Sequence, residues 1–268
     1  MTSVANRVVR THDGVDIAYS IHGAAVADGL TVMLVHGWAG NRTYWDHQVE
    51  HLRDRYQVVA IDLGGHGDSG FGRTDWNLPA FGDDVLAVAH QVGAPKVALV
   101  GHSMGGDAVV YAARKLGDRV AGIIWVDVLR SLGDEPVSPP DVVDAFVAPF
   151  REDFTTAVDQ FARSLFPTTA DPALVDRIAG QMAASRQDGT LGSLGCALNR
   201  HPPILAALSQ ITAPVVAINP DIAPTDVDSL RRNGVEPVIV EGVGHFLMLE
   251  DPKRFNAVLA SALASFER

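Results

Sequence analysis

A single cysteine, Cys196, stands in the chain, so no internal disulfide can form and a reducing compartment suits it. Basic residues are scarce too: 21 Lys and Arg against 32 Asp and Glu leave a formal net charge of −11. Binding nucleic acid or an anionic membrane surface takes a basic face, so neither partner is expected, and the acidity reads as a means of solubility. No apolar run approaches the roughly 18 residues that suggest a membrane span. Residues 1–10 hold no apolar stretch of signal-peptide length, and the expected location is the cytoplasm. Spacings that hold metals, H-E-x-x-H or C-x-x-C, do not occur; no metal and no other cofactor is expected. Internal repeats and low-complexity tracts are missing as well. What is there is 47% hydrophobic and 20% charged over 268 residues, enough for a sizeable core.

Short apolar runs alternate with helical patterns. The runs at 7–10, 15–21, 30–35, 57–61, 96–100, 121–128, 214–218 and 237–240 predict strands. The later ones are continuous and rich in Val, Ile and Leu, as parallel strands covered on both faces require. The first two are close enough to form an antiparallel pair. Leu78, Phe81, Val85, Val88, Ala89 and Val92 follow helical spacing. So do Phe255, Val258, Leu259, Ala262, Leu263 and Phe266, behind an Asp251-Pro252 start signal. Strand–helix alternation predicts a mostly parallel α/β sheet with helices on both faces.

The rhythm breaks once. Residues 129–210 contain no convincing strand, and short helical stripes replace it: Val143, Phe146, Val147 and Phe150, then Val158, Phe161, Ala162 and Leu165. This reads as a helical lid inserted between two core segments, 1–128 and 211–268, with Pro-rich hinges at 136–140 and 201–203. Phe146, Phe150 and Phe161 are candidates to line an apolar acyl pocket. Trp125 reads as core, and Asp83-Asp84 and Arg231-Arg232 read as solvated faces.

Gly101-His102-Ser103-Met104-Gly105 is a G-x-S-x-G motif set between the run at 96–100 and a helical pattern at 106–116. Strand, sharp turn and helix form the context of a nucleophile elbow, in which only small neighbours let a strained serine stand at the strand's end. Serine is a weak nucleophile until a base takes its proton and donors stabilise the oxyanion. The candidate base is His245, flanked by glycine just past the last strand. His102 adjoins the serine but is expected to face away. His12, His22, His47, His51, His90 and His201 show no partner pattern. The oxyanion donors expected are the backbone N–H groups of Met104, after the nucleophile, and of Trp38, in the His36-Gly37-Trp38 loop.

Four motifs in order resemble the α/β-hydrolase superfamily over nearly the whole chain: His36-Gly37, Asp62-x-x-Gly65-x-Gly67-x-Ser69, the elbow, and Gly244-His245. The resemblance implies an eight-stranded sheet, a helical cap over the pocket and a Ser–His–acid triad. The acid departs from the family's common pattern. After the seventh strand the chain reads Asn219-Pro220-Asp221-Ile222-Ala223, so an alanine takes the usual aspartate position. Asp127, ending the sixth strand, is the preferred acid, because a buried carboxylate needs a partner. Asp221 is the alternative, and Asp226 could serve after a shifted turn.

The expected activity is cofactor-independent hydrolysis of an ester or lactone of a small to medium apolar acid, through an acyl-enzyme on Ser103. Haloalkane dehalogenases and epoxide hydrolases of the superfamily attack with an aspartate at that position. Carbon–carbon hydrolysis is disfavoured because the loop reads HGWAGN rather than HGxGPG-like. Two alternatives stay open: a cofactor-free perhydrolase of the haloperoxidase kind, and a hydrolase-fold ligand receptor with slow turnover.

Overall fold

The computed structural model describes residues 5–25, 29–133 and 137–267; Pro136 of the expected hinge and residues 1–4 lie outside the described residues. Eight strands form one sheet: β1 (Ala5–Arg10), β2 (Asp16–His22), β3 (Leu30–Val35), β4 (Gln57–Ile61), β5 (Lys96–His102), β6 (Val120–Val126), β7 (Val215–Pro220) and β8 (Val235–Val240). Their order is β1-β2-β4-β3-β5-β6-β7-β8. Strand β2 runs antiparallel to both β1 and β4, and every later pairing is parallel. The continuous apolar runs are buried on both faces, as expected: Val97, Ala98, Leu99 and Val100 have no exposed surface.

Two apolar layers sandwich the sheet. On one face Met33, Val35, Val59 and Ile61 pack with α2 (Leu78–Val92) and α3 (Met104–Leu116). On the other, Val32, Leu34, Val58 and Ala60 share a cluster with residues of α1 (Asp46–Leu52) and α11 (Pro252–Ser265). The period-2 alternation of strand side chains divides neighbours between these layers. Local signals set the helix ends. The Asn77 side chain accepts from Ala80 N, and Gly93 closes α2 at φ 70°. Asp251 accepts from Arg254 N at 3.0 Å, with Pro252 in the first turn of α11.

Between β6 and β7 lie α4 (Pro140–Glu152), α5 (Phe154–Ser164), α6 (Pro172–Ala183), α7 (Gln187–Leu194) and α8 (His201–Leu208). Val147, Phe150, Phe154, Ile178 and Leu194 from the first four bury against Phe246 and its neighbours. Helix α8 differs: its Ile204, Ala207 and Leu208 join the α2–α3 layer instead. The short α9 (Val227–Arg232) and α10 (Leu247–Glu250) flank β8.

Two expectations need correction. Strand β6 stops at Val126, not at residue 128, because Asp127 turns the backbone to φ 46°. Asp84 is not solvated: it is fully buried, and its carboxylate takes Arg73 Nη2 at 2.5 Å and Gly64 N at 2.9 Å. Burial next to an arginine fits a carboxylate placed on the inner face of α2, a position that two adjacent acidic letters do not reveal. Trp125 is core, and its indole N–H donates to Gly106 O at 3.0 Å.

Candidate active site

Ser103 links β5 to α3 with φ 51° and ψ −122°. That conformation is strained for a residue with a side chain and persists only where the surroundings over-determine it. Ser103 N donates to Val126 O at 3.0 Å, and Ser103 O accepts from Gly106 N at 2.9 Å. The flanking glycines permit the crossing. A Cβ on Gly101 would stand 2.6 Å from Gly106 Cα, and one on Gly105 would stand 2.6 Å from Val35 O. The serine is thereby presented at the C-terminal edge of the sheet.

The loop after β3 approaches the same point. His36 is fully buried; its Nδ1–H donates to Gly37 O at 2.7 Å, and its Nε2 accepts from Leu63 N at 3.0 Å. A bare Nε2 requires a neutral ring, and burial pushes the imidazole down to about 4. This pins the turn in which Gly40 N donates to Gly37 O at 3.1 Å. Among the described residues, neither Trp38 N–H nor Met104 N–H has a protein acceptor. The Trp38 indole donates to Thr190 O at 2.7 Å, tying this loop to α7.

His245 sits between β8 and α10. Its Nδ1–H donates to Asp127 Oδ2 at 2.6 Å. Its backbone is held at both ends: N–H donates to Leu165 O at 3.0 Å, and the carbonyl accepts from His102 Nε2 at 2.9 Å. Glu250 accepts from Gly244 N at 2.8 Å and Phe246 N at 3.1 Å, bracketing the histidine. His102 is thus buried against His245, with ring centroids 4.4 Å apart, rather than turned away from the site. No hydrogen bond joins Ser103 Oγ to His245 among the described residues; such contacts commonly tighten when substrate arrives.

Asp127 is buried, and its second oxygen pairs with Arg130 Nη2 at 2.8 Å. Arg130 also donates to Pro220 O at 2.9 Å and Ala223 O at 2.8 Å. The alternatives lie elsewhere. Asp221 is exposed and accepts from Gly242 N at 2.8 Å. Asp226 caps α9, accepting from Ser229 N at 2.9 Å.

Ser103, Met104, Trp38 and His245 all line one cavity of about 190 Å³. Phe146 and Phe161 form part of its wall. Phe150 does not; it stands behind, with its ring centroid 5.7 Å from that of Trp38 and 5.8 Å from that of Phe161. The sequence reading missed Arg130, Glu250, Asp107 and Arg200, the last two of which line the cavity. An arginine three residues after the candidate acid is a weak signal in hindsight. Nothing in the spacing of Asp107 and Arg200 announces a pair.

A strained serine between a parallel strand and a helix, with a histidine and an aspartate gathered from later loops of one sheet edge, defines a nucleophile-elbow protein. The chain belongs to the alpha/beta hydrolase fold family, whose model matches residues 31–199, more than half of it. It is 28% identical over 272 residues to a soluble epoxide hydrolase of Corynebacterium sp., covering 90% of this chain and 93% of that protein. A bifunctional esterase/perhydrolase of Acinetobacter calcoaceticus is 36% identical over 135 residues, 50% of this chain and 48% of its own. The solved structure of a thermophilic esterase from Thermogutta terrifontis matches with a TM-score of 0.83 at 22% identity, covering 98% of this chain and 100% of that one, which is a likeness of fold. Among the described residues no helix is long and apolar enough to cross a membrane.

Proposed function

We propose that this protein is a serine hydrolase that cleaves an ester or lactone through an acyl-enzyme. The observation that carries the reading is the strained Ser103 on the same cavity as His245, whose ring is bonded from behind to Asp127 at 2.6 Å. Ser103 Oγ attacks the carbonyl carbon as His245 Nε2 takes its proton, and Asp127 stabilises the imidazolium. The N–H groups of Trp38 and Met104 receive the oxyanion; such donors are each worth about 10²–10³ in rate. Collapse breaks the ester bond, and the imidazolium protonates the leaving alcohol. Water, deprotonated by His245, then releases the acid and frees the serine. A cavity of about 190 Å³ is below the roughly 300–1,000 Å³ of drug-sized pockets, which favours a short acyl group.

Perhydrolysis is the second reading, favoured by the similarity to the Acinetobacter calcoaceticus esterase/perhydrolase. There peroxide takes the acyl group in place of water and yields a peracid. A receptor reading gains force from a missing triad acid, and the Asp127 contact weakens it. The test is a fluorophosphonate probe followed by mass spectrometry, with turnover of an ester panel with and without peroxide. Rapid labelling of Ser103 with ester turnover is expected. No adduct on Ser103 rejects the serine mechanism, and peracid as the main product selects the second reading.

A further inference from the structure

Two of the buried arginine–aspartate pairs differ in a way that bears on the substrate. Arg73–Asp84 is closed on itself. Both Asp84 oxygens are bonded, and Arg73 spends Nε on Asp13 at 2.7 Å and both Nη atoms on Asp84. Asp107–Arg200 is left open. Arg200 Nη1 donates to Asp107 Oδ2 at 2.9 Å, and Nη2 donates to Val128 O. Among the described residues, neither Asp107 Oδ1 nor the Nε–H of Arg200 has a partner.

This open pair lies on the cavity wall, among Phe146, Phe161, Leu165 and Leu194. Placing an ion pair there is costly, and apolar residues of similar volume would commonly be as stable or more so. The Asp107 side chain is 1% exposed and that of Arg200 19%, so Arg200 is the member a ligand can reach. The neighbouring carboxylate already balances its charge. A second anion would leave a net negative charge in a half-dry pocket, whereas a neutral oxygen acceptor adds a hydrogen bond at no such cost. Asp107 follows Ser103 by four residues on α3, one turn or about 6 Å along the axis.

We propose that the acyl chain of the substrate carries a neutral oxygen acceptor (a ketone, hydroxyl or amide oxygen) about three or four carbons beyond the scissile carbonyl, and that Arg200, held by Asp107, receives it. The proposal deepens the hydrolase reading and rests on it for the orientation of the chain.

The test compares p-nitrophenyl 4-oxopentanoate with p-nitrophenyl pentanoate, each rate corrected for hydroxide reactivity. The wild type is expected to favour the oxo ester by about tenfold in kcat/KM. Replacing the pair together, Asp107→Leu with Arg200→Met, brings the ratio near one. Arg200→Lys keeps the charge and removes the Nε–H; it is expected to lower the ratio at least about threefold, and it serves if the double variant does not fold. NMR titration of the wild type with 4-oxopentanamide and pentanamide reads the same preference without turnover. A preference in binding with Ser103 unlabelled overturns the hydrolase reading and keeps only the Arg200 contact with the neutral acceptor. Equal binding and equal kcat/KM in the wild type, a preference that survives substitution, or a stronger preference for the p-nitrophenyl half-ester of succinate overturns the proposal.

Discussion

Strands β6 and β7 lie side by side, and each is followed at once by an aspartate, yet the two carboxylates meet different fates. After β6 the backbone swings to φ 46°, and Asp127 turns inward to His245. After β7 the ladder runs on: Pro220 pairs with Val240, and Asp221 N donates to Val240 O at 3.2 Å. The Asp221 carboxylate stays in solvent, holding the turn at Gly242. Backbone direction at the strand's end, not the presence of the residue, decides which acid can orient the histidine. The turn after β7 keeps a use in this arrangement. Its carbonyls at Pro220 and Ala223 anchor Arg130, which grips the Asp127 oxygen that faces away from His245.

Substitutions at this pair of strand ends can break the contrast. Asp127→Asn is expected to lower kcat by about 10³–10⁴-fold through loss of the working tautomer of His245; ester turnover near the wild-type rate would return the role to Asp221. Arg130→Ala leaves Asp127 Oδ1 without its partner and the carboxylate free to rotate. Steady-state kinetics should show kcat lower by about tenfold, with partial recovery in Arg130→Lys, which restores charge without the fork. Glu250→Ala removes the acceptor for Gly244 N and Phe246 N and loosens the His245 loop from the other side. A fall of about three- to fivefold in kcat/KM is expected, with the melting temperature lowered by a few degrees. Asp221→Asn should change turnover less than about twofold, since it alters one exposed hydrogen bond; a larger loss would show that the β7 end reaches the chemistry.

Much of the fold is legible in the sequence, because parallel strands buried on both faces leave continuous apolar runs and helices leave stripes. The runs at 30–35 and 57–61 coincide with β3 and β4. The neighbourhood of the site is legible wherever a backbone constraint leaves a local mark: glycines around Ser103, and glycine before His245. Asp127 can be picked out because a carboxylate ending an apolar strand demands a partner. What stays hidden depends on pairing across long separations. Arg200 meets Asp107 ninety-three positions away, and Asp84 is indistinguishable from a surface acid until Arg73 is seen beside it. Phe146, Phe150 and Phe161 share one kind of apolar stripe, but which ring reaches the cavity depends on how the helices pack, and Phe150 is held back by Trp38.

His36 carries a consequence in proton linkage. The folded protein keeps its Nε2 bare to accept from Leu63 N, with the imidazole pushed by burial from 6.5 to about 4. His66, also buried, is pushed down to about 3. In the unfolded chain both rings take up protons near the ordinary histidine value, so the unfolded state binds more protons throughout the interval between that value and about 4. The contribution of these two rings to stability is therefore full above about pH 6.5 and is lost as the pH drops towards 4, while Asp84, raised by burial to about 6, works in the opposite sense; the His36 share is read as the difference between wild type and His36→Gln in the pH dependence of the thermal midpoint. Because the His36 ring also braces the Gly37–Trp38 turn, a proton on Nε2 takes away the acceptor for Leu63 N, and acid therefore loosens this turn from the strand beside it.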